Sequence, residues 1–431
     1  MDQSRLARSR HVHVIGAGIV GTSCAWWLRR AGFDVTLIEK GAPACGASSG
    51  NAGSIGLASV PPLGMPGILR RVPKMLLDPD NPLTTRWAHL AGSLPWFARL
   101  ALATQGRHVE SIADARAALL ARTTDALDTL LGETGLGGLI EHSGLIHTFQ
   151  SEQALSGATR AIEMRRERGV ELKVLNGDAL RELEPALSDE IAGGVWYPTV
   201  RNCVNPQRLT EACAEAFVAS GGRLLIETVR GFEIGSDGPK SIVTDRGSHP
   251  CELVVVAAGA WSKPLARQLG CNVALESERG YHVMLKEPQT ALRIPLVSSD
   301  QSIAISPMEH GLRLTTMSEF AAIEAPSQHA RAMRIFAKAT RVVHDLKIEA
   351  ASQWVGARPS TPDSLPVIGR SPRFRNALFA FGHGHLGLTF AAITGRLISQ
   401  IASGAAPEVD IAAFRPDRSF TGSHLKPSMH A

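Results

Sequence analysis

The sequence predicts an α/β protein in which a domain built on a parallel sheet is joined to an α+β domain with a mostly antiparallel sheet. A strand–helix–strand pattern with closely spaced glycines occupies residues 11–40. A continuous apolar run at 252–262 is typical of a strand that is buried on both faces, as in a parallel sheet. Residues 273–320 alternate between polar and apolar side chains, which predicts antiparallel strands.

The bulk composition excludes several classes of protein. A chain of 431 residues is too long for one hydrophobic core, and 20% charged with 44% hydrophobic residues describes an ordinary globular protein. The formal charge of +5 comes from scattered side chains without interleaved aromatic residues, so we predict no nucleic-acid partner. The six cysteines show no C-x-x-C spacing, which indicates reduced thiols and no metal site. A polar start without a signal peptide, and no apolar run of membrane-spanning length, predict a cytoplasmic location.

The opening unit, HVHVIGAGIVGTSCAWWLRRAGFDVTLIEK, has G-x-G-x-x-G spacing between a strand and a helix. Gly16 allows a tight turn, Gly18 lets a pyrophosphate approach the backbone, and Gly21 lets the helix pack close to the strand. The helix that begins at Ile19 and Val20 presents free N–H groups to the phosphates. Glu39 ends the second strand, where a carboxylate accepts both ribose hydroxyls. We therefore predict a Rossmann-like dinucleotide site; the alternative is a glycine-rich turn without a ligand.

The loop GAPACGASSGNAGSIG follows at 41–56 and consists mostly of small residues. Small side chains leave backbone N–H groups accessible, so a ligand can lie against the chain. The alternative, a flexible linker, would be oddly placed directly behind the second strand of a nucleotide-binding unit.

Residues 61–103 combine recurring prolines with aromatic and basic side chains. Short amphipathic helices broken by proline are expected here, either as a helical insertion of the substrate domain that could serve as a lid or as a membrane-surface patch. We favour the insertion, because apolar and basic residues also alternate on an ordinary packed helix.

Later helices are predicted from apolar residues at helical spacing and from end signals. Asn205 is expected to cap a helix whose first turn carries Pro206, and the loop FAFGHGHLGLT follows an apolar strand and opens a helix near Leu388. The other predicted helices are 109–131, which ends at Gly132, then 151–170 and 330–346.

Six motifs, in this order, resemble the FAD-dependent amine oxidoreductases of the D-amino acid oxidase and glycine oxidase superfamily. They are the opening unit, SSGNAG, VVVAAGAWS, RGYH, GARPSTPDSLPVIG and FGHGHLGLT. The pieces ASSGNAG and GHGHLGLTFAAITGRL look most like the D-amino acid dehydrogenases, including the D-proline or D-hydroxyproline dehydrogenase branch. The resemblance covers about residues 11–405.

The resemblance implies a non-covalently bound FAD. The FAD-binding domain would comprise 1–60, 200–270 and 347–431, and the substrate-binding domain 61–199 and 271–346. The resemblance assigns the adenosine diphosphate end of FAD to the pyrophosphate residues Gly16, Gly18, Ile19, Val20 and Gly21, the ribose residues Glu39 and Lys40, and the Val229 backbone at the adenine. Near the pyrophosphate and ribityl chain it implies Ala258, Gly259 and Trp261. On the flavin side it implies Ser48, Ser49, Asn51, Ala52 and Gly53, and over the isoalloxazine Gly384, His385, Leu386, Gly387, Leu388 and Thr389.

The resemblance also implies catalytic residues. Arg358 in GARP matches the arginine that binds the substrate carboxylate, and a guanidinium forms two parallel hydrogen bonds with such a group. Tyr281 is expected either to hydrogen-bond the carboxylate or to pack in the sheet, and His282 should point to the opposite face. In the loop around His383 and His385 we expect mainly backbone contacts, with His385 retained as a pocket residue.

The activity implied is oxidative deamination of a D-amino acid, with D-proline and cis-4-hydroxy-D-proline as candidates, by hydride transfer to flavin N5. Electrons would pass to a quinone or a carrier protein, and residues 61–103 could contact the inner face of the cytoplasmic membrane. One rival is a peroxide-producing oxidase of glycine, sarcosine or D-amino acids. Another is a non-catalytic flavoprotein subunit of a larger dehydrogenase. A nicotinamide-linked enzyme is disfavoured, because only one G-x-G-x-x-G is present.

Overall fold

The computed structural model describes residues 10–78, 81–286, 288, 290–346 and 352–418. Residues 1–9, which carry the prediction about a signal peptide, lie outside this range, as do the last residues of the predicted FAD-binding domain. The α-helices of the described part are α1 (Ile19–Arg30), α2 (Ile68–Leu77), α3 (Trp87–Ala103), α4 (Gly106–Thr134), α5 (Glu152–Gly157), α6 (Thr159–Arg166), α7 (Gly177–Leu183), α8 (Pro206–Ala219), α9 (Ser262–Gln268), α10 (His329–Phe336) and α11 (Gly387–Ser403).

The strands, in chain order, are β1 (His11–Ile15), β2 (Asp34–Glu39), β3 (Ser54–Ile55), β4 (Leu83–Thr85), β5 (Ile140–Glu141), β6 (Leu145–Phe149), β7 (Lys173–Asn176), β8 (Gly193–Tyr197), β9 (Arg201–Cys203), β10 (Arg223–Ile226), β11 (Val229–Gly235), β12 (Gly238–Thr244), β13 (Ser248–Pro250), β14 (Leu253–Val256), β15 (Glu276–Leu285), β16 (Leu296–Ser298), β17 (Ile303–Met308), β18 (Gly311–Phe320), β19 (Ser352–Ser360), β20 (Val367–Arg370) and β21 (Ala377–Phe381).

The first sheet has six strands in the order β10-β2-β1-β14-β21-β20. Its pairs are parallel except for β20 with β21, and we call it the parallel sheet. The predicted central strand β14 is buried on both faces: Leu253 and Val255 pack with α1 and α11 residues, while Val254 and Val256 pack with residues of α9. The continuous apolar run predicted this arrangement correctly.

The second sheet has nine strands. Eight of them follow the order β19-β15-β18-β17-β16-β6-β8-β7, and the ninth, β4, pairs with β18. We call it the large sheet. Two of its pairs, β16 with β6 and β18 with β4, are parallel, and the others are antiparallel, as the alternation of 273–320 predicted. One face packs on α10 and its own hydrophobic core. Two further sheets have three strands each, β11-β12-β13 and β3-β9-β5.

Several predicted boundaries differ from the structure. The helix expected to end at Gly132 continues to Thr134, because Gly135 (φ 72°) is the residue that adopts the left-handed terminating conformation. Residues 151–170 form two helices, α5 and α6, rather than one, and beyond α10 the predicted helix 330–346 continues only as a 3₁₀ turn, Ala337–Arg341. The capping prediction is confirmed, since the Asn205 side chain accepts a hydrogen bond from the Arg208 N–H.

Strand β19 also differs from the predicted domain division. Its residues fall within 347–431, which we assigned to the FAD-binding domain, yet it pairs with β15 over nine consecutive residues, from Glu276 with Ser360 to Met284 with Ser352. The chain therefore re-enters the large sheet before it returns to the parallel sheet with β20 and β21. In the part of the chain that the structure describes, no helix is both long and apolar enough to span a bilayer.

Candidate active site

A cavity of about 650 Å³ is bordered by both the parallel sheet and the large sheet. Its walls include the carboxyl ends of β1, β2 and β14, the loop after β2, the beginning of α11, and residues of β15 and β19. Most predicted site residues line this cavity; the four that do not are Gly21, Ser49, Gly53 and Thr389. One concave site therefore collects segments from both ends of the chain.

The glycine-rich turn after β1 depends on two close backbone approaches. A Cβ on Gly16 would lie 2.6 Å from the Ala257 carbonyl oxygen, and Gly16 has φ of +104°. A Cβ on Gly21 would lie 1.8 Å from the Gly16 carbonyl oxygen. Gly21 thus supports the site from behind by letting α1 pack against the turn, as the spacing predicted.

The first turn of α1 faces the cavity and suits an anion. Ser48 accepts a hydrogen bond from the Ile19 N–H at 3.0 Å, and the first turn carries no acidic side chain. Gly18 and Val20 also line the cavity here. Exposed N–H groups and the positive end of the helix dipole stabilise a phosphate at such a position.

Glu39 is held at the end of β2 by backbone donors. Its carboxylate accepts hydrogen bonds from the Ala17 N–H at 2.6 Å and from the Lys40 N–H at 2.9 Å. Lys40 in turn places its ammonium 3.5 Å from the centre of the Trp261 ring, a cation–π contact across the cavity wall. The cavity is also lined here by Glu39, Lys40, Trp261, Val229, Ala258 and Gly259.

The loop after β2 is fixed from the large sheet by a residue that sequence reasoning missed. Arg313 on β18 donates from Nη1 to the carbonyl oxygens of Ser49 at 3.0 Å and Asn51 at 2.5 Å. Burial lowers the pKa of Arg313 to about 10, so the guanidinium keeps its charge near neutral pH. The Asn51 side chain closes the turn by accepting from the Gly53 N–H at 2.8 Å. Ser49 and Gly53 shape the loop without lining the cavity.

The C-terminal loop brings a second helix start to the cavity. The 3₁₀ turn Gly384–Leu386 leads into α11, and both line the cavity. Thr389 is buried and accepts a hydrogen bond from the Gly56 N–H at 2.9 Å, which joins α11 to the loop after β2. His383 also lines the cavity, but it is buried, its Nε2 lies 3.0 Å from the Thr394 hydroxyl, and burial lowers its pKa to about 3.

Arg358 lies on β19, and its side chain is 21% exposed at the cavity wall. The guanidinium passes over Gly280, where a Cβ would lie 2.0 Å from Nη2. Nη1 donates to the Met317 carbonyl oxygen at 2.9 Å and lies 3.5 Å from Glu278 Oε1. Burial lowers the pKa of Arg358 and the Glu278 charge raises it, so the pair compensates part of the desolvation.

Glu278 is a buried carboxylate that sequence reasoning missed. It accepts hydrogen bonds from the hydroxyls of Ser318 at 2.6 Å and Ser360 at 2.5 Å, and its Oε1 lies 2.7 Å from His385 Nε2. Burial raises the pKa of this carboxyl, but His385, Arg358 and Ser318 together outweigh burial and hold the pKa well below its usual range. The carboxylate is therefore ionised and can only accept hydrogen bonds.

Tyr281 borders the cavity, and its hydroxyl is engaged within the protein. It donates to Glu319 and accepts from the Gln328 N–H at 2.9 Å, and the side chain packs in the core beside α10. Burial and the Glu319 contact raise the pKa of Tyr281 to about 12. The packing alternative describes this side chain, and its hydroxyl is already paired with Glu319 and Gln328. His282 points to the opposite face, as predicted, and stacks on Trp354.

A row of paired residues crosses the large sheet on the cavity side. Each pairs with the next on the neighbouring strand, in the order His147, Val297, Ala304, Thr315, His282 and Trp354. All except His282 line the cavity. The alternation in GLRLTTM predicted strands but not which neighbours would share a row, so this wall was missed.

The arrangement fits FAD. The turn at Gly16, the α1 start, Glu39 and the β11 end form a cradle for an adenosine diphosphate, and the large sheet faces the far side of the same cavity. Among the described residues, no group of histidine, cysteine or acidic side chains is placed to hold a metal ion.

Comparisons with known proteins agree with this geometry. The family model described as FAD dependent oxidoreductase (DAO) matches residues 11–401. A D-amino-acid oxidase from Bradyrhizobium diazoefficiens is 37% identical over 421 residues, with 96% of this chain and 100% of that protein covered. A D-amino acid dehydrogenase from Rhizobium johnstonii is 30% identical, with 93% and 97% covered.

The fold is shared with a solved glycine oxidase from Geobacillus kaustophilus, at a TM-score of 0.75 and 23% identity, covering 95% of this chain and 99% of that one. Since the family model spans most of the sequence and the cavity has the expected cradle, the chain belongs to the DAO family of FAD-dependent oxidoreductases.

Proposed function

We propose that the protein is an FAD-dependent D-amino acid dehydrogenase. The observation that carries this proposal is the guanidinium of Arg358, which is partly exposed at the cavity wall and held by Met317 and Glu278. A planar cation in a largely buried site matches an α-carboxylate. The relatives named D-amino-acid oxidase and D-amino acid dehydrogenase support the choice of D-amino acids.

The protein's own residues act by binding and orientation. Arg358 binds the carboxylate, which fixes one end of the substrate against β19. The start of α11 and the 3₁₀ turn before it cover the other side of the cavity, so the α-carbon is confined between them. FAD, when bound, supplies the two-electron oxidation of the amine. With the carboxylate and the side chain fixed, only one enantiomer directs its α-hydrogen toward the cofactor.

The side-chain pocket favours small, uncharged substrates. Its wall in the large sheet contains Val297, Ala304 and Thr315, and burial lowers the pKa of His147 to about 3, so this imidazole is neutral. No acidic residue of β6, β16, β17 or β18 lines the cavity, and a cationic side chain would find no counter-charge there. D-Proline and cis-4-hydroxy-D-proline carry no charge besides those of the amine and the carboxylate, and they are the substrates we propose first.

The electron acceptor is a quinone or a carrier protein in this proposal. A second candidate is a peroxide-forming oxidase, which the name of the 37% identical relative favours. Measuring peroxide release in air against reduction of a dye under nitrogen separates the two. Activity of the lone purified chain would exclude a non-catalytic subunit, and release of free FAD on denaturation would support non-covalent binding.

We also propose that residues 61–103 contact the cytoplasmic face of a membrane. Five large apolar side chains in this segment are exposed: Leu63, Leu69, Leu77, Leu94 and Leu102. The most exposed of the five is Leu77, at 82%. The sequence of α2 and α3 contains basic residues and no acidic ones. An apolar surface with positive charge is suited to anionic lipid. Co-sedimentation with anionic but not neutral vesicles is the expected result.

The binding role of Arg358 is tested by Arg358→Ala. We expect the KM for D-proline or D-alanine to rise by about 10²-fold or more, because a charge-assisted pair is worth about 3 kcal/mol, while FAD stays bound. Arg246→Ala, in an exposed turn, is the matched control and should leave KM unchanged. An unaltered KM in Arg358→Ala would remove this arginine from the site.

A further inference from the structure

His385 and Glu278 form a pair that the binding of cofactor and carboxylate does not require. Glu278 is 3% exposed and lies behind the cavity wall, whereas the His385 side chain is 35% exposed and lines the cavity. The two groups come from distant parts of the chain, β15 and the turn before α11, and meet at 2.7 Å. A buried carboxylate that faces one histidine from behind fixes the orientation of the ring.

The orientation leaves one ring nitrogen for a ligand. Since the Glu278 carboxylate can only accept, His385 Nε2 must carry the hydrogen. In the neutral form of the ring Nδ1 then holds a lone pair, and it has no hydrogen-bond partner among the described residues. The charged groups that face His385 are Glu278 and Arg358, since His383 in the same loop is buried against Thr394.

Arg358 brings the substrate's amino group to this nitrogen. Arg358 Nη1 lies 3.5 Å from Glu278 Oε1, and His385 Nε2 lies 2.7 Å from the same oxygen. An α-amino group is two bonds from its carboxylate carbon. A substrate whose carboxylate is bound to Arg358 therefore has its ammonium next to the His385 ring.

We propose that His385 accepts the ammonium proton of the substrate at Nδ1, and that Glu278 is the positioning residue that directs this nitrogen into the cavity. This inference rests on the proposed function. The N–H bond of the ammonium breaks, its proton binds Nδ1, and the electron pair stays on the amine nitrogen. FAD, when bound, would accept the α-hydrogen together with its two bonding electrons, and the nitrogen lone pair would form the C=N bond of an iminium product. The imidazolium is stabilised by the Glu278 carboxylate.

The kinetic test follows flavin reduction under nitrogen with D-alanine and D-proline as probes. In the FAD-loaded His385→Asn variant we expect the limiting rate near pH 7 to fall by about 10²-fold, the usual contribution of a positioned base. The rate should then rise steadily with pH as the free amine form of the probe increases, and added imidazole should restore part of it. An unchanged pH profile in His385→Asn, with normal reduction by the wild type, overturns the inference and leaves the proposed function intact. If neither probe nor other D-amino acids reduce the wild-type flavin, the proposed function itself has failed.

The positioning role has its own readout, ¹⁵N NMR of histidine-labelled protein without substrate. The His385 signal, assigned by its loss in His385→Asn, should show that the neutral ring carries its hydrogen on Nε2 and none on Nδ1. In Glu278→Gln this preference should be lost, and the rate should fall. The matched control is Glu276→Gln. Glu276 lies on β15, as Glu278 does, and also pairs with a histidine, His89 of α3, at 2.9 Å, but it does not line the cavity. A His385 tautomer that is the same in Glu278→Gln and in the wild type contradicts the positioning role.

Discussion

Gly280 is the position at which a single methyl group should disable substrate binding without disturbing the fold. The glycine lies on β15 directly beneath the guanidinium of Arg358. In Gly280→Ala the added Cβ would lie 2.0 Å from Nη2, 2.2 Å from Cζ and 2.6 Å from Nη1. All three atoms are at the end of a flexible side chain, so the arginine moves and the strand does not.

The magnitude follows from that geometry. Ordinary contact begins at 3.4 Å, so Nη2 must retreat from 2.0 to 3.4 Å, a shift of about 1.4 Å. A misplacement of about 1 Å in a positioning group can cost about 10²-fold in rate. We therefore expect kcat/KM for a D-amino acid to fall by about 10²-fold, which corresponds to about 2.7 kcal/mol. The hydrogen bond from Nη1 to the Met317 carbonyl should be lost as well.

The assay is anaerobic flavin reduction over a range of substrate concentrations, with FAD content and Tm measured on the same preparation. Gly132→Ala in α4 is the control, because a Cβ there meets no atom within 4 Å. FAD content should match the wild type in both variants; the Tm should be unchanged in Gly280→Ala and equal or slightly higher in Gly132→Ala, because alanine favours the helical conformation over glycine. If Gly280→Ala keeps the wild-type kcat/KM, the position of Arg358 over this glycine is not what binds the carboxylate.

Three further predictions concern parts of the molecule away from the substrate. Arg313→Met removes the two hydrogen bonds to the loop after β2, and FAD affinity should fall about tenfold in a fluorescence titration, since a bond to a charged donor is worth about 1.5–3 kcal/mol. Asn205→Ala should lower the free energy of unfolding by about 1 kcal/mol in a urea titration and leave activity unchanged, because it removes the cap of α8. Burial lowers the pKa of His13 from 6.5 to about 3, so as the pH falls the unfolded chain is protonated at His13 before the folded chain is. The contribution of the neutral His13 to the free energy of unfolding is therefore complete above pH 6.5 and is lost as the pH falls toward 3. His13→Val should weaken the dependence of Tm on pH between 6.5 and 5, and an equally steep dependence in the variant would contradict this. Burial lowers the pKa of His147, His282 and His383 as well, so their contributions to stability change with pH in the same direction.

The cofactor cradle could be predicted in detail because its determinants are local. The spacing of Gly16, Gly18 and Gly21 specifies one turn between a strand and a helix, and Glu39 follows at the end of the next strand. The structure brings Gly16, Gly18 and Glu39 to one cavity, as expected, and Gly21 packs directly behind the turn. Where a local signal had two readings the prediction was weaker. Gly132 directly follows the last apolar residues of the helical pattern, yet α4 ends only at Gly135, three residues later.

The substrate side could be predicted only in part because it depends on register between distant strands. Glu278 meets Arg358 because β15 pairs with β19 in one particular register, and no pattern within either segment encodes that pairing. Alternation correctly separated Tyr281 from His282, but it did not say which face borders the cavity, and the irregularity in β15 between Arg279 and Tyr281 complicates the count. The Glu278–His385 contact was therefore missed, although His385 stands in the motif FGHGHLGLT and Glu278 directly precedes the motif RGYH.

The most direct test of the central claim is enantiomer-resolved reduction of the protein's own flavin. Purified protein, yellow with bound FAD, is mixed under nitrogen with the D and L forms of proline and alanine, and the visible flavin band is followed. We expect the D forms to bleach the band at micromolar enzyme, and the L forms to leave it unchanged over the same time. Bleaching by the L forms alone, or a protein that cannot take up FAD, would contradict the account.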